Sequence, residues 1–486
     1  MAGTLGESGA QYPDLKAFAR NVGQLVVDGF FQRGQVIFIN RTPGRLDLMG
    51  GNDDYTGGLV FETTIREATR VAVQPRPDQT ITFYNPAVKA FGWKDSIELD
   101  LSDLTEAGSM KPLEEIRDSI KADPEQAWCA YILGDLYLLL EKFPGQVRQG
   151  FSLYLESDIP LGKGVSSSAA LEVAPMKAMA KMYGVNVEGV ELASWTQWVE
   201  IKFMESACGI MDQLAVVMGD EDCFVPMLCQ PCQPQALVKL PEILKIWGVD
   251  SGVRHSVAGI EYETARAATF MGYRFLCDRE GLEPSLDENG ILPRWVEPRW
   301  NGYLARLSPS EFRSKYEIGL PEAILGADFT RAHATHLDPF TPVRAEVSYP
   351  VRGATRYAVE ENWRVHNFVG LISKPAAVPE DRTAGLLGEL MYQSHVGYSQ
   401  CGLGSEATDK IVELVRGQES SGLWGAKITG GGAGGTVAVL GSNTPAGETA
   451  FSRVVEQYHL WSGTQPYVFQ GSSAGCDKFG VIEARY

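Results

Sequence analysis

The chain has 486 residues, with 43 Lys and Arg against 61 Asp and Glu, a formal charge of -18. That acidic balance opposes attraction to nucleic acid or to an anionic membrane surface, and the length exceeds one compact core, so two domains are expected. The greasiest runs, such as YILGDLYLLL, are interrupted by polar residues and too short to span a bilayer, and the start lacks a cationic segment leading into an apolar one. The expectation is a soluble cytoplasmic protein without nucleic-acid or membrane partners. Eight scattered cysteines point to reduced thiols, and the CxxC pair Cys229 and Cys232 reads as two loop cysteines rather than a metal or redox site.

Along the chain, GQVIFINRTPGRLDLMGG predicts a strand broken by Pro43 and Gly44 that resumes briefly through Leu46 and Leu48. TRVAVQP and QTITFYN predict further short strands. From Glu125, apolar residues recur at helical spacing through WCAYILGDLYLLLEKF, and Pro144 with Gly145 ends that helix. FSLYLESDIP alternates as a strand and runs into PLGKGVSSSAALEVA, after which two helix-like segments follow. A strand restarts at Lys245, the Cys277 to Pro350 section reads as an elaboration between elements, and a helix through GLLGELMYQSHVGYS precedes the glycines of KITGGGAGGTVAVL. Strands and helices mix without regular alternation, which favours an α+β fold.

Three clusters carry candidate chemistry. In PLGKGVSSSAALEVA, a strand entering a glycine turn and then a helix aims backbone N-H groups and a helix dipole at one point, where phosphate is the natural guest. Gly162 and Gly164 permit close approach, and Ser166, Ser167 and Ser168 offer hydroxyls to phosphate or a divalent ion; a serine-capped helix start is the alternative. Lys163 lies between glycines, so this is no Walker loop. In RTPGRLDLMGGNDDYTGG, Arg45, Asp47, Asp53 and Asp54 supply a cation and three carboxylates able to hold a polyhydroxylated ligand, or merely a polar turn. The five glycines between Gly430 and Gly435, including Gly431 and Gly432, suit close approach by a ligand or by another main chain.

Taken together, the clusters resemble the three motifs of the GHMP kinases, and in particular the galactokinase branch. CGIMDQ, from Cys208 to Gln213, resembles that branch's catalytic segment, and VRHSVAGIEY a stretch ending in a sugar-contacting tyrosine, here Tyr262. The resemblance implies a two-domain α+β fold, residues 1–235 and 236–486, with ATP and sugar meeting in the cleft between domains. It implies that Arg45 lies beside the transferred phosphoryl group and that Asp212 faces the anomeric hydroxyl. Asp54, with Gly51, Asn52, Gly209 and Tyr262, would contact the sugar, and Gly162, Gly164, Ser166, Ser167, Ser168, Gly431 and Gly432 the nucleotide. Ser168 and Glu200 would hold Mg2+, whose preference for hard oxygen ligands they satisfy. His255 reads as structural. A monomer or weak homodimer is expected.

The pattern departs at one place. Where galactokinases follow the glycine matched by Gly50 with Glu-His, this chain has Gly51 and Asn52. In the family that glutamate contacts the hydroxymethyl group of galactose, so its loss, with Asp54 retained, suggests a sugar of the same hydroxyl pattern without a sixth carbon, such as L-arabinose. Restoring Glu at position 51 is expected to improve galactose use. The surrounding sequence resembles the kinase portion of plant L-arabinokinases, without their N-terminal glycosyltransferase-like region as an expectation. The reading is an ATP-dependent sugar 1-kinase giving L-arabinose 1-phosphate. The alternatives are a galactokinase, or a sugar and ATP sensor with little turnover.

Overall fold

Two sheets carry the chain in a computed structural model that describes residues 12–106, 109–253, 259–373 and 380–486, the side chains of residues 380 and 381 apart. β1 (Ile37–Met49) and β2 (Leu59–Pro75) form the spine of the first, nine-stranded sheet. With β3 (Thr80–Tyr84), β4 (Ser96–Asp100), β5 (Phe151–Ser157) and β6 (Cys223–Leu228), it runs β6-β2-β5-β3-β4, and β1 lies along β2. β2, rich in β-branched residues, divides its partners: Leu59 to Thr63 pair with β6, and Thr69 to Pro75 with β5.

The break expected at Pro43 and Gly44 is instead one continuous strand. Register shifts between Pro43 and Arg45, and between Asp47 and Met49, absorb the misfit while pairing with β2 continues. Bulges of this kind bend a strand and re-aim its side chains. Here the bulge also makes room for a neighbour: a Cβ on Gly44 would lie 2.5 Å from the Val165 carbonyl oxygen.

The helices α1 (Ala130–Lys142), α2 (Ser167–Met182), α3 (Gly189–Trp198) and α4 (Met211–Met218) pack together with this sheet in one core. α1 is apolar on nearly every face and is accordingly buried nearly throughout. Val71 and Val73 of β2 and Leu153 and Leu155 of β5 join Leu136, Val173, Met176 and Leu214 from the helices.

A second, four-stranded antiparallel sheet holds β7 (Leu244–Asp250), β8 (Leu423–Ile428), β9 (Thr436–Ser442) and β10 (Val468–Gln470) in the order β8-β9-β7-β10. The first sheet continues past residue 235, where Val238 and Lys239 pair with β6, and the second begins at β7. The C-terminus nonetheless returns to the first sheet, where Ile482 to Ala484 pair with β1. Long helices α5 (Ile260–Glu280), α6 (Val351–Ile372) and α7 (Glu380–Gln400) accompany the second half. The Cys277 to Pro350 section, which sequence left without an account, folds as one short hairpin, a second two-stranded ladder closed over a helix, and small helices. Its Trp300, Leu304, Leu307, Phe312 and Tyr316 form a core with α5 and α6. Among the described residues, no helix is long and apolar enough to cross a membrane.

One ion pair joins the two sheets. Asp47 of β1 and Lys427 of β8 meet at 2.7 Å, both side chains fully buried. Removing one member of such a pair strands a charge in a low-dielectric interior, whereas removing both does not. Lys427→Met should cost about 3–5 kcal/mol of stability, and Asp47→Asn with Lys427→Met should recover much of it. Denaturant unfolding checks this, and a single variant as stable as the unsubstituted chain would contradict it.

Candidate active site

The β1 bulge delivers Arg45 to the centre of the site. Its Nη2 and Nε donate to Asp212 Oδ1 at 2.6 and 3.0 Å, and its Nη1 donates to the Gly164 carbonyl oxygen at 2.7 Å. The Arg45 backbone N-H meets Val165 O at 3.1 Å. One buried guanidinium therefore touches both the aspartate at the start of α4 and the glycine loop between β5 and α2. Burial works against its charge, but Asp212, Glu62 and Asp47 outweigh it and hold Arg45 firmly protonated. Glu62 lies 3.6 Å away, and burial raises its carboxyl well above the usual range despite Arg45. Both Arg45 bonds fall on Asp212 Oδ1, which leaves Oδ2 for another partner.

The loop from Pro160 to Ser166 is an open cradle built on left-handed backbone. Gly162, Gly164 and Ser166 have φ of 71°, 70° and 58°, and nothing lies within 4 Å of where a Gly162 Cβ would be. Ser166 sits at the N-cap of α2 but makes no side-chain capping bond, and its buried hydroxyl has no hydrogen-bond partner. The serine-capped helix start is thus not what these residues build. Ser167 and Ser168 open the helix, in its positive end. Lys163 pairs with Asp250 of β7, which commits its ammonium to holding the loop, and Thr436 Oγ1 bonds the Lys163 carbonyl at 2.7 Å.

The third glycine cluster turns between β8 and β9 and packs on this loop. A Cβ on Gly430 would lie 2.7 Å from Gly164 O and 3.2 Å from Arg45 Nη2, and one on Gly432 would lie 2.6 Å from the Leu403 Cβ. Main-chain packing therefore accounts for much of the glycine density, with Gly431 between these two positions.

Glu200 lies in a π-helical turn, Val199 to Phe203, a local irregularity that often marks functional positions. Gln213 Nε2 bonds its Oε2 at 2.5 Å, and Ser168 and Cys208 also donate to it. Burial, reinforced by Asp212, pushes Glu200 up to about 7. Among the described residues, no group of three or more His, Cys, Asp or Glu is arranged to hold a metal by itself. Ser168 and Glu200 are adjacent hard oxygen donors, a partial set that fits Mg2+ when phosphate and water supply the remainder.

Further along from Arg45, the segment Gly50 to Gly58 forms a tight turn pinned by α6. Gly50 N-H bonds Glu361 at 3.1 Å, Leu59 N-H bonds Asn362 at 2.9 Å, and Tyr357 OH donates to Gly51 O at 2.6 Å. Asp54 accepts from the N-H groups of Tyr55 and Met211, at 2.9 and 3.2 Å, and burial raises it to about 6. A Cβ on Gly209 would sit 1.7 Å from Asp54 Oδ2, so only glycine fits beneath that carboxylate. Asn52, at φ 61°, accepts from Tyr55 OH at 2.8 Å, and the Tyr55 ring meets Tyr262 edge-on at 6.1 Å. Asp54, Gly209, Arg266, Phe270, Trp295 and Phe340 line a cavity of about 370 Å³. His255 lies outside the described residues.

Two of the three carboxylates expected to serve a ligand are otherwise employed. Asp47 is spent on Lys427, and Asp53 is fully buried, accepting from Thr56 Oγ1 while its other oxygen has no partner. The expectation about position 51 also changes. A Cβ there would lie 2.0 Å from Asp47 Oδ2 and 2.2 Å from Tyr398 OH, so a glutamate cannot enter without dislodging the Asp47–Lys427 pair. Sequence reasoning missed Lys427, Tyr357, Glu361 and Tyr398. A lysine flanked by apolar residues in a strand, as in LWGAKI, was the available signal, since buried lysines need partners.

Gly51→Glu should therefore lose about 3 kcal/mol or more, read by thermal or denaturant unfolding, and a stable variant would show that the pocket can open. Ser166→Ala should leave stability within about 0.5 kcal/mol, whereas a loss of about 1 kcal/mol would reveal a capping role.

With the geometry established, comparison with known proteins is direct. Residues 130–220 match the GHMP kinases N terminal domain, residues 29–75 the galactokinase galactose-binding signature, and residues 376–460 the GHMP kinases C terminal domain. The chain is 36% identical to an L-arabinokinase of Arabidopsis thaliana, covering 94% of this chain and 48% of that protein. It is 34% identical to a galactokinase of Chloroflexus aggregans over 49% of this chain and 55% of the relative. The chain thus spans about half the length of these curated relatives. The solved structure of Lactococcus lactis galactokinase complexed with galactose superposes with a TM-score of 0.72 at 20% identity, covering 94% of this chain and 99% of that one. The chain therefore carries GHMP kinase N-terminal and C-terminal domains and the galactokinase galactose-binding signature within a two-domain α+β fold.

Proposed function

We propose that the chain is an ATP-dependent kinase that phosphorylates the anomeric hydroxyl of a monosaccharide, L-arabinose first. The observation that carries this reading is the Arg45 guanidinium bonded to both Asp212 and the glycine loop. A phosphoryl group in transfer carries dispersed negative charge, so catalysis is mainly positioning and countercharge. Arg45 supplies the countercharge. Asp212, with Oδ2 free of Arg45, receives the hydroxyl's hydrogen bond and then its proton. Ser166, unpartnered in the protein, and the N-H groups around Gly162 and Gly164 bind the nucleotide's phosphates. Mg2+ held by Ser168 and Glu200 would supply further charge neutralisation on those phosphates. Asp54 accepts hydrogen bonds from ring hydroxyls, with Asn52, Gly209 and Tyr262 shaping the sugar's seat. Gly51 contributes by having no side chain.

Identity to an L-arabinokinase over most of the chain supports the pentose, as does the space at Gly51 taken by Asp47 and Tyr398. The galactose-binding signature supports D-galactose as the second reading. A sensor with little turnover is disfavoured by the intact Arg45–Asp212 contact. The reading takes residues 1–235 and 236–486 as the two domains and the cleft between them as the reaction site.

Incubation with ATP, Mg2+ and each sugar should give a higher kcat/KM for L-arabinose than for D-galactose; the reverse order would install the galactokinase reading. Asp212→Asn should lower kcat by about 100-fold or more while nucleotide affinity stays within about twofold, and a folded variant with full turnover would remove Asp212 from the mechanism. The pH profile supplies an independent check. Only ionised Asp54 accepts two hydroxyl donors, and its carboxyl is raised to about 6. Sugar kcat/KM should therefore fall as pH drops through about 6, and a flat profile down to pH 5 would contradict that role.

A further inference from the structure

We infer that Arg266, clamped by Asp338 of the 277–350 section, is a specificity-determining residue of the acceptor site, its Nη1 donating a hydrogen bond to a hydroxyl oxygen of the bound sugar. This rests on the sugar-kinase reading and adds a donor opposite the Asp54 acceptor. Arg266 projects from α5 and is 3% exposed. Its Nε and Nη2 bond the two oxygens of Asp338 at 2.8 and 3.0 Å, a planar fork on a carboxylate. Asp338 is itself fixed by Thr341 Oγ1 at 2.7 Å and the Phe340 N-H at 3.3 Å. The rings of Tyr55, Phe270 and Phe340 stand around the guanidinium, with centroids 4.9, 5.8 and 5.5 Å from Cζ. The cation is thus held rigidly by an ion pair and three aromatic faces.

One group is left over. Nη1 is buried without a well-formed hydrogen bond in the protein, although the guanidinium lies within reach of the Tyr262 hydroxyl; this is an expensive condition for a charged donor unless something else completes it. Arg266 lines the same cavity as Asp54 and Gly209, and its charge is close enough to favour the ionised form of Asp54 and to act on the Tyr262 phenol. A carboxylate acceptor and a guanidinium donor facing one small cavity match neighbouring hydroxyls of a sugar ring, each of which can donate and accept. Discrimination follows because a sugar lacking the matching hydroxyl leaves the buried N-H unsatisfied. The section that looked like an elaboration between elements thereby supplies the carboxylate that orients a substrate contact.

The test pairs substrate and protein changes, using a set of monodeoxy pentoses with ATP and Mg2+. Arg266→Gln with Asp338→Asn removes both charges together and avoids stranding one; Arg266→Lys is the second variant should the first fail to fold. In the unsubstituted chain, one deoxy sugar should lose about tenfold or more in kcat/KM through this contact. That penalty should vanish in the double variant and shrink in Arg266→Lys, while KM for the natural sugar rises and KM for ATP stays within about twofold. Unchanged deoxy penalties, or equal rises in both KM values, would overturn the inference alone. Absence of sugar phosphorylation by the unsubstituted chain would overturn the kinase reading and this inference with it.

Discussion

The site depends on one buried guanidinium. Arg45 has to be presented at an angle that regular pairing of β1 would not give, and the two register shifts around it provide that angle. From there it reaches Asp212 at the start of α4 and Gly164 in the glycine loop. Its charge is stable because Asp212, Glu62 and Asp47 surround it in a region with little water. Remove Arg45 and Asp212 loses its ion-pair partner. On the proposed reading, the group that organises the resting site also supplies the countercharge of phosphoryl transfer.

A second layer of contacts, drawn from the C-terminal half, fixes the first. Lys163 binds Asp250, Asp47 binds Lys427, and Gly50 binds Glu361, each joining residues that are far apart in sequence. These contacts spend polar groups that composition alone would have assigned to a ligand. Asp47 and Asp53 belong to the protein's interior, and Asp54 is the member of the trio that lines a cavity. Position 51 follows the same logic: the space a longer side chain would need holds Asp47 and a tyrosine hydroxyl.

What could be read from sequence were features whose chemistry is local. A glycine turn ahead of serines and a helix leaves either an anion cradle or a serine cap, and the unpartnered, non-capping Ser166 hydroxyl removes the cap. The amphipathic and apolar helices were legible from spacing, as was the mixture of strands and helices. The strand through Pro43 was misread because a proline and glycine ordinarily end pairing, whereas a bulge lets pairing continue around them. LWGAKI signals a buried lysine, but the partners of Lys427, Glu361 and Arg266 could not be read, because they lie 380, 311 and 72 residues away. No local period or propensity encodes such meetings.

The central claim, that Arg45 and Asp212 direct phosphate to a sugar's anomeric oxygen, is tested most directly by the regiochemistry of the product. Phosphorus-proton correlation NMR of the product formed from L-arabinose, ATP and Mg2+ should show phosphorus coupled to the anomeric proton alone. Coupling to another ring proton, or release of free phosphate with the sugar unchanged, would contradict the account.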